Sequence, residues 1–381
     1  MINGKRKIKR IVIAPDSFKG SFSAGEIGGI VTKAGQRHFP NAEFLSIPMS
    51  DGGEGLICAV RAARGGKIGE MSVCDPLMRP RLAKYLALDH DSVLLEMAEA
   101  SGLMLLEPEE RDPLVASSFG TGQMIKKALE MGFTNLMIGI GGSATNDGGV
   151  GLAQALGVEF KTRGTGNMGG SMLPHITGVN MRGLDPALKD AKLTVICDVT
   201  NVLLGNCGAT YTFGAQKGAD DKTLGLLEAG MRNLAEVIKR DTGSDLSNLK
   251  GGGAAGGAGA MLSGLLGAEF RQGIDAILDM VEFDRIIEDA DVVITGEGRI
   301  DSQSADGKVL SGIGKRCMAK GVPALAVCGI LGDGYERIFN SGIDNVFPAV
   351  AHFTDFGQML ANKELLMQQA ADRLFRSLKY C

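Results

Sequence analysis

The chain has 381 residues, of which 44% are hydrophobic and 22% charged, and its formal net charge is −4. These values are typical of a folded globular protein, and the scattered Lys and Arg residues offer no basic surface for nucleic acid or for an acidic membrane. The sequence contains no run of about 18 apolar residues that could span a membrane, and the apolar run after MINGKRKIKR is too short for a signal sequence. Seven cysteines without CxxC spacing indicate reduced thiols, so a cytoplasmic location is expected.

Five short apolar segments predict buried parallel strands, because their apolar character is continuous rather than alternating. They are residues 10–14, 42–47, 291–296, 324–329 and 344–349. Helical patterns follow them, and two of these begin with a capping signal, Ser23 with Glu26 and Asp51 with Glu54. Further helical patterns occupy roughly 308–320, 334–341 and 360–378.

This element order predicts an α/β fold with two domains. Two strand–helix units at the start and three at the end match a flavodoxin-like parallel sheet of order 2-1-3-4-5, here assigned to residues 1–85 and 285–381. Residues 86–284 then form a second α/β domain inserted between the second and third strands, with strands near 92–97, 135–140 and 193–197. The glycine-rich stretch 251–270 is predicted to pass from a loop into a helix.

Polar residues cluster after the predicted strands, where ligands bind in open parallel sheets. In the first domain these are Asp16, Ser17, Lys19, Asp51, Glu297, Arg299 and Asp301. In the inserted domain they are Gly141, Gly142, Ser143, Thr145, Asp147 and Asp198. If the two domains face each other, these carboxylates and bare amides border one cleft. Crowded carboxylates need cations, and glycine amides hold phosphate oxygens, so the pattern predicts a magnesium-bound polyphosphate.

Each residue also has a purely structural interpretation. Asp51 is equally explained as a helix cap, Asp16 and Asp147 as turn residues, and Lys19 as a solvated surface lysine. Arg299 is equally explained as an ion-pair partner of Glu297. Their common position at strand ends favours the functional interpretation.

Other chemistries find less support in the sequence. The four histidines are isolated, without the spacing of a zinc site or of a Ser-His-Asp triad, and the Walker pattern is absent. Gly139, Gly141 and Ala144 satisfy the dinucleotide fingerprint, with Glu159 about 20 residues further on. An NAD(P)-dependent oxidoreductase is therefore one alternative, although Asp147 lies where a pyrophosphate would bind. A non-catalytic sensor of sugar acids is the other.

Seven sequence blocks together resemble the bacterial glycerate kinases of type I. They are APDSFKGS (14–21), PMSDGGEG (48–55), GIGGSATNDGG (139–149), CDVTNVLLG (197–205), GAQKG (214–218), GGGAAGGAG (251–259) and TGEGRIDSQS (295–304). The resemblance implies an ATP-dependent kinase that needs Mg²⁺ and phosphorylates D-glycerate, with the same two-domain fold. It implies 2-phosphoglycerate as the product, with 3-phosphoglycerate as the disfavoured alternative. The sequence leaves open whether the chain forms a homo-oligomer.

On this interpretation each candidate residue has a role. The phosphates of ATP are expected to contact Gly141, Gly142, Ser143 and Thr145. Gly252 and Gly256 are expected to let the backbone approach the nucleotide closely. Mg²⁺ is expected to bind Asp198 and Asp147. Lys19 is expected to neutralise the transferred group, and Arg299 beside Ser17 to bind the glycerate carboxylate. Asp51, Glu297 and Asp301 are also expected to bind the glycerate substrate. Asp16 and Asp198 are the two candidates for the general base, and Asp16 is preferred.

Overall fold

The computed structural model describes residues 8–18, 20–49, 55–163, 168–305, 308–350 and 356–379. The chain folds into two compact units. The terminal unit consists of residues 1–51, 58–65 and 273–381, and the central unit of residues 52–57 and 66–272. These bounds differ from the expected ones, because residues 66–85 belong to the central unit and residues 273–284 to the terminal unit.

The described residues contain the following elements in chain order. The strands are β1 (Arg10–Pro15), β2 (Glu43–Ser46), β3 (Lys67–Cys74), β4 (Pro80–Ala87), β5 (Ser92–Glu96), β6 (Asn135–Gly139), β7 (Glu159–Thr162), β8 (Ile176–Asn180), β9 (Lys192–Ile196), β10 (Glu269–Arg271), β11 (Val292–Ile300), β12 (Ala324–Leu331) and β13 (Asn345–Pro348). The α-helices are α1 (Ala24–His38), α2 (Leu56–Arg64), α3 (Ala98–Ser101), α4 (Phe119–Glu130), α5 (Val150–Ala155), α6 (Ala209–Phe213), α7 (Asp221–Thr242), α8 (Ala258–Ala260), α9 (Gly273–Met280), α10 (Phe283–Ile286), α11 (Val309–Lys320), α12 (Phe356–Ala361) and α13 (Lys363–Leu378).

The terminal unit is built on a five-stranded parallel sheet of order β13-β12-β11-β1-β2. This order confirms the flavodoxin-like prediction. Helices α1 and α13 cover one face of the sheet with a shared apolar cluster that includes Ile11 and Ile13. The alternate residue Val12 points to the other face and is also fully buried, and α11 packs against β11 and β12. Parallel strands covered in this way are buried on both faces, which explains their continuous apolar sequence.

Helix α1 begins where its sequence predicts. The side chain of Ser23 accepts a hydrogen bond from the Glu26 amide, and the Glu26 carboxylate accepts one from the Ser23 amide, so the capping box is complete. Ile27, Val31 and Ala34 then recur at helical spacing and are fully buried. The second predicted cap, at Asp51 and Glu54, lies outside the described residues.

The central unit is built on a six-stranded mixed sheet of order β10-β9-β6-β5-β4-β3. Strands β5, β6, β9 and β10 are parallel to one another, whereas β3 and β4 form an antiparallel hairpin at one edge. Strands β7 and β8 pair separately. Among the described helices, none combines the length and apolar character needed to cross a membrane.

The glycine-rich stretch 251–270 forms a 3₁₀ turn, the short helix α8 and one π turn at Met261–Leu265. The prediction of a loop followed by a helix is therefore correct in outline, but the helix is short and irregular. Leu262 is fully buried in the core of the central unit, so this stretch is not a linker.

Candidate functional site

The terminal unit contains a pocket of about 430 Å³ at the carboxyl ends of β1, β11 and β12, bordered also by α12 and α13. We call it the strand-end pocket. Its lining includes Asp16, Ser17, Phe22, Glu297, Arg299, Lys308, Ile330, Met359, Leu360, Lys363 and Leu366. Strand β11 continues to Ile300, beyond the expected end at residue 296, so Glu297 and Arg299 lie within the strand rather than after it. The strand order reverses between β1 and β11, and ligands of open parallel sheets bind at such a switch point.

Two acidic side chains lie side by side in this pocket. Pro15 on β1 pairs with Gly296 on β11, so Asp16 and Glu297 follow at neighbouring positions on adjacent strands. They are only 9% and 7% exposed. The Ser17 amide donates a hydrogen bond to Asp16 Oδ1 at 2.6 Å, and the Ser304 hydroxyl donates to Glu297. Neighbouring carboxylates with little access to water favour a bound cation or the proton of a substrate hydroxyl.

Three cationic side chains also line the pocket. Arg299 Nε donates to Asp301 Oδ2 at 3.1 Å, so this arginine pairs with Asp301, and its side chain remains 58% exposed. Lys308 immediately precedes α11, whose N-terminal amides add positive potential. Lys308 and Lys363 are not among the predicted site residues. Lys308 lies at the start of a helical pattern that follows a predicted strand, and this position is the sequence signal that identifies it.

The structure places the remaining predicted residues of the first domain as follows. Ser17 lines the strand-end pocket, whereas Asp301 acts beside it by pairing with Arg299. Lys19 and Asp51 lie outside the described residues, so their predicted roles stay predictions.

In the central unit, a glycine loop at residues 140–149 follows β6. Gly139 on β6 pairs with Ile196 on β9, so this loop and Asp198 leave the same edge of the sheet. Gly142 and Asp198 are exposed and Gly141 is partly exposed. Among the predicted phosphate and metal ligands of the central unit, only these three residues are accessible to solvent in the described part of the chain.

The rest of the glycine loop is buried around a lysine that the sequence analysis did not single out. Lys217 is 2% exposed, and its ammonium donates to Ser143 Oγ at 3.0 Å and to the Thr145 carbonyl at 2.7 Å. Burial lowers the pKa of Lys217 to about 7, and the Asp147 charge opposes this shift. Thr145 has no exposed surface, so the predicted contact of its side chain with phosphate is not supported by this geometry. The Ser143 hydroxyl likewise faces Lys217.

Asp147 is an internal anchor of the loop. Its carboxylate accepts hydrogen bonds from the Ser118 amide and hydroxyl at 2.8 Å each, and from the Gly149 and Gly151 amides at 3.1 and 3.3 Å. It has no exposed surface, and burial raises its pKa while these four donors oppose the rise. The expected Mg²⁺ contact at Asp147 is therefore not supported, because protein donors occupy the oxygens that a metal would need.

Gly252 and Gly256 do permit close backbone approach, but to the protein itself. The Gly256 carbonyl accepts a hydrogen bond from the Gly148 amide at 2.9 Å. A Cβ at Gly256 would lie 2.0 Å from the Thr145 carbonyl oxygen. Gly252 is buried against Leu249 in the same way. These glycines pack against the protein backbone around the loop, so their geometry does not support the predicted approach to a nucleotide.

The local sequence of Lys217 does not indicate its burial. It lies in GAQKG, between Gln216 and Gly218, and lysines are mostly exposed in folded proteins. Its partners Ser143 and Thr145 are 74 and 72 residues away along the chain. Local patterns contain no information on a contact over that separation.

Comparison with known proteins relates the chain to a family of kinases. A sequence model of the Glycerate kinase family matches residues 11–379. A glycerate kinase from Haemophilus influenzae is 40% identical over 97% of this chain and 99% of its own length. A glycerate 2-kinase from Escherichia coli K12 is 44% identical over 89% of this chain and 90% of its own length. A crystal structure from Salmonella typhimurium LT2 superposes with a TM-score of 0.84 at 39% identity, covering 98% of this chain and 99% of that one.

Proposed function

Because the chain belongs to the glycerate kinase family, we propose that it transfers the γ-phosphoryl group of ATP to D-glycerate, giving ADP and 2-phosphoglycerate. Members of this family are ATP-dependent kinases, so the chain is an enzyme of the phosphotransferase class. The printed name of the E. coli relative, glycerate 2-kinase, favours the 2-position over the 3-position. Family membership argues against the oxidoreductase and sensor alternatives.

The observation that carries the proposal is the polar end of the strand-end pocket. Asp16 and Glu297 lie there together with Arg299. In this proposal Arg299, beside Ser17, binds the glycerate carboxylate, since a guanidinium matches a carboxylate with two parallel hydrogen bonds. Asp301 orients Arg299 through their ion pair.

Asp16 is proposed as the general base. The acceptor hydroxyl gives its proton to the Asp16 carboxylate while its oxygen forms a bond to the γ-phosphorus, and the bond from that phosphorus to the ADP oxygen breaks. Glu297, which lies beside Asp16, is proposed to contribute to substrate binding. Lys19 is proposed to neutralise charge on the transferred group, and Asp51 to contribute to substrate binding.

Mg²⁺ is proposed as the metal that accompanies ATP, and it supplies neutralisation of phosphate charge. Asp198 fits this requirement, since its carboxylate is exposed at the end of β9. Gly141 and Gly142 remain the proposed phosphate contacts, because they are the accessible part of the glycine loop. Mg²⁺ keeps several waters and needs few carboxylates, so Asp147 is not required.

The test is an ADP-release assay with D-glycerate, followed by ³¹P-coupled NMR to identify the phosphorylated carbon. Asp16→Asn is expected to lower kcat by about tenfold or more, with KM for ATP changed only about twofold. Asp289→Asn is the matched control, because Asp289 belongs to the same unit but its side chain is 84% exposed and lines no pocket wall described above. An unchanged kcat in Asp16→Asn removes Asp16 from this role, and no ADP release by the wild type with D-glycerate refutes the proposed function.

A further inference from the structure

The strand-end pocket is larger than the acid that is proposed to bind in it. Its volume of about 430 Å³ falls within the range of roughly 300–1,000 Å³ typical of pockets that bury drug-sized ligands. D-Glycerate is a three-carbon acid and would occupy only the end near Asp16 and Arg299. The opposite end of the pocket has no assigned ligand.

Much of the remaining pocket wall is apolar. It is formed by Phe22, Ile330, Met359, Leu360 and Leu366, with the Lys363 ammonium beside Phe22. A small polyhydroxy acid gains nothing from such a wall, because hydroxyl groups buried against hydrocarbon without partners cost free energy. A flat group with apolar faces suits it. Methionine adapts to irregular ligand surfaces, and aromatic rings pack against flat heterocycles.

The aromatic part of this wall is held in place. The Lys363 ammonium lies 4.6 Å from the centroid of the Phe22 ring and donates a hydrogen bond to the Ser21 carbonyl. A cation at this distance stabilises the position of the ring. Phe22 is therefore held in place in the pocket wall, with the Lys363 ammonium over one face of its ring.

We infer that the apolar end of the strand-end pocket, at Phe22, Met359 and Leu366, binds the nucleobase of the phosphoryl donor. The inference rests on the proposed function, since that reaction has two substrates and only the nucleotide carries a flat apolar group. The position agrees with nucleotide binding beyond the carboxyl ends of parallel strands. D-Glycerate then occupies the polar end of the same pocket.

The experiment is isothermal titration of ADP and, separately, of D-glycerate into the full-length chain and its variants. Leu366→Gln removes one apolar contact from the pocket wall and is expected to weaken ADP binding by about tenfold or more. D-Glycerate binding is expected to change by no more than about twofold. Leu365→Gln is the matched control on the same helix, because Leu365 is 53% exposed and does not line this pocket. It should leave both affinities unchanged.

Three results would overturn the inference. These are no detectable ADP binding by the wild type, an ADP affinity unaffected by Leu366→Gln, or an equal loss of affinity for D-glycerate. Met359→Gln is the second variant if circular dichroism shows that Leu366→Gln does not fold, and the same outcomes apply to it. Titration does not depend on turnover, so the two hypotheses fail separately. If ADP binding depends on Leu366 but the protein does not phosphorylate D-glycerate, the nucleobase site is supported and the proposed function is refuted.

Discussion

Lys217→Met tests the electrostatic account of the buried glycine loop. The wild-type ammonium is enclosed, donates to Ser143 and Thr145, and lies near the charge of Asp147. Methionine has a similar shape and fills the site without a charge. The free energy of unfolding of the wild type, measured relative to Lys217→Met, should therefore depend on pH.

The sign and the size of this dependence follow from the pKa of Lys217. Folding lowers it from 10.5 to about 7. Above pH 7 the unfolded chain thus holds a proton that the folded chain has released, and stability rises with pH wherever the unfolded state binds more protons. At about 1.4 kcal/mol per pH unit, the wild type should gain about 2 kcal/mol over Lys217→Met between about pH 7 and pH 9. Below about pH 6 Lys217 is protonated in both the folded and the unfolded chain, so the difference in free energy of unfolding between the two proteins should not change with pH.

The assay is thermal unfolding of both proteins across this pH range. A gain of about 2 kcal/mol corresponds to a rise of about 4–8 °C in Tm for a unit of this size. Lys239→Met serves as the control, because Lys239 belongs to the same unit but is 62% exposed and pairs with Asp245 at the surface, where solvent screens the pair. Parallel pH curves for the wild type and Lys217→Met would refute the reasoning.

Three further predictions concern the same chain. Gly256→Ala places a Cβ 2.0 Å from the Thr145 carbonyl oxygen at a φ of +64°, and it should lower the free energy of unfolding by about 2 kcal/mol or more. Gly243→Ala is the control, because Gly243 has a φ of +81° with open space around it, and this variant should cost about 1 kcal/mol. Equal losses of Tm in the two variants would contradict the steric argument. Asp147→Asn replaces an acceptor of four hydrogen bonds and should cost about 3 kcal/mol, so an unchanged Tm would show that the charge is dispensable. Burial raises the pKa of the Cys328 thiol to about 12, while Cys58 is exposed; mass spectrometry after native alkylation at pH 8 should find Cys58 modified and Cys328 intact, and comparable rates at both would show that the buried thiol is accessible.

The sheet of the terminal unit could be predicted because its signals are local. Residues 10–14 and 291–296 are continuous apolar runs, and such runs indicate strands covered on both faces. The cap at Ser23 is equally local, since its partner Glu26 is three residues away. The same reasoning placed Asp16 and Glu297 at neighbouring strand ends, because in a parallel sheet the strand order determines which carboxyl ends are adjacent.

Residues 67–85, which form most of the β3–β4 hairpin, belong to the central unit rather than to the expected first domain, for a physical reason. The strands of this hairpin pair with each other and, through β4, with β5. Which sheet a hairpin joins depends on the edge that it meets, and that edge is formed by residues elsewhere in the chain. The alternation of polar and apolar residues within the hairpin does not identify its neighbour.

The amino-acid sequence by itself determined the five strands of the terminal sheet, their order and the family, because these depend on short-range periodicity, capping and motif identity. Only the tertiary structure decided which polar groups of the glycine loop face solvent. The sequence does not distinguish Gly141 and Gly142 from Ser143, Thr145 and Asp147 as candidate ligand contacts. The structure leaves the two glycines accessible and buries the other three residues. Their burial results from hydrogen bonds with Ser118 and Lys217, and a residue's exposure depends on such distant contacts rather than on its own type.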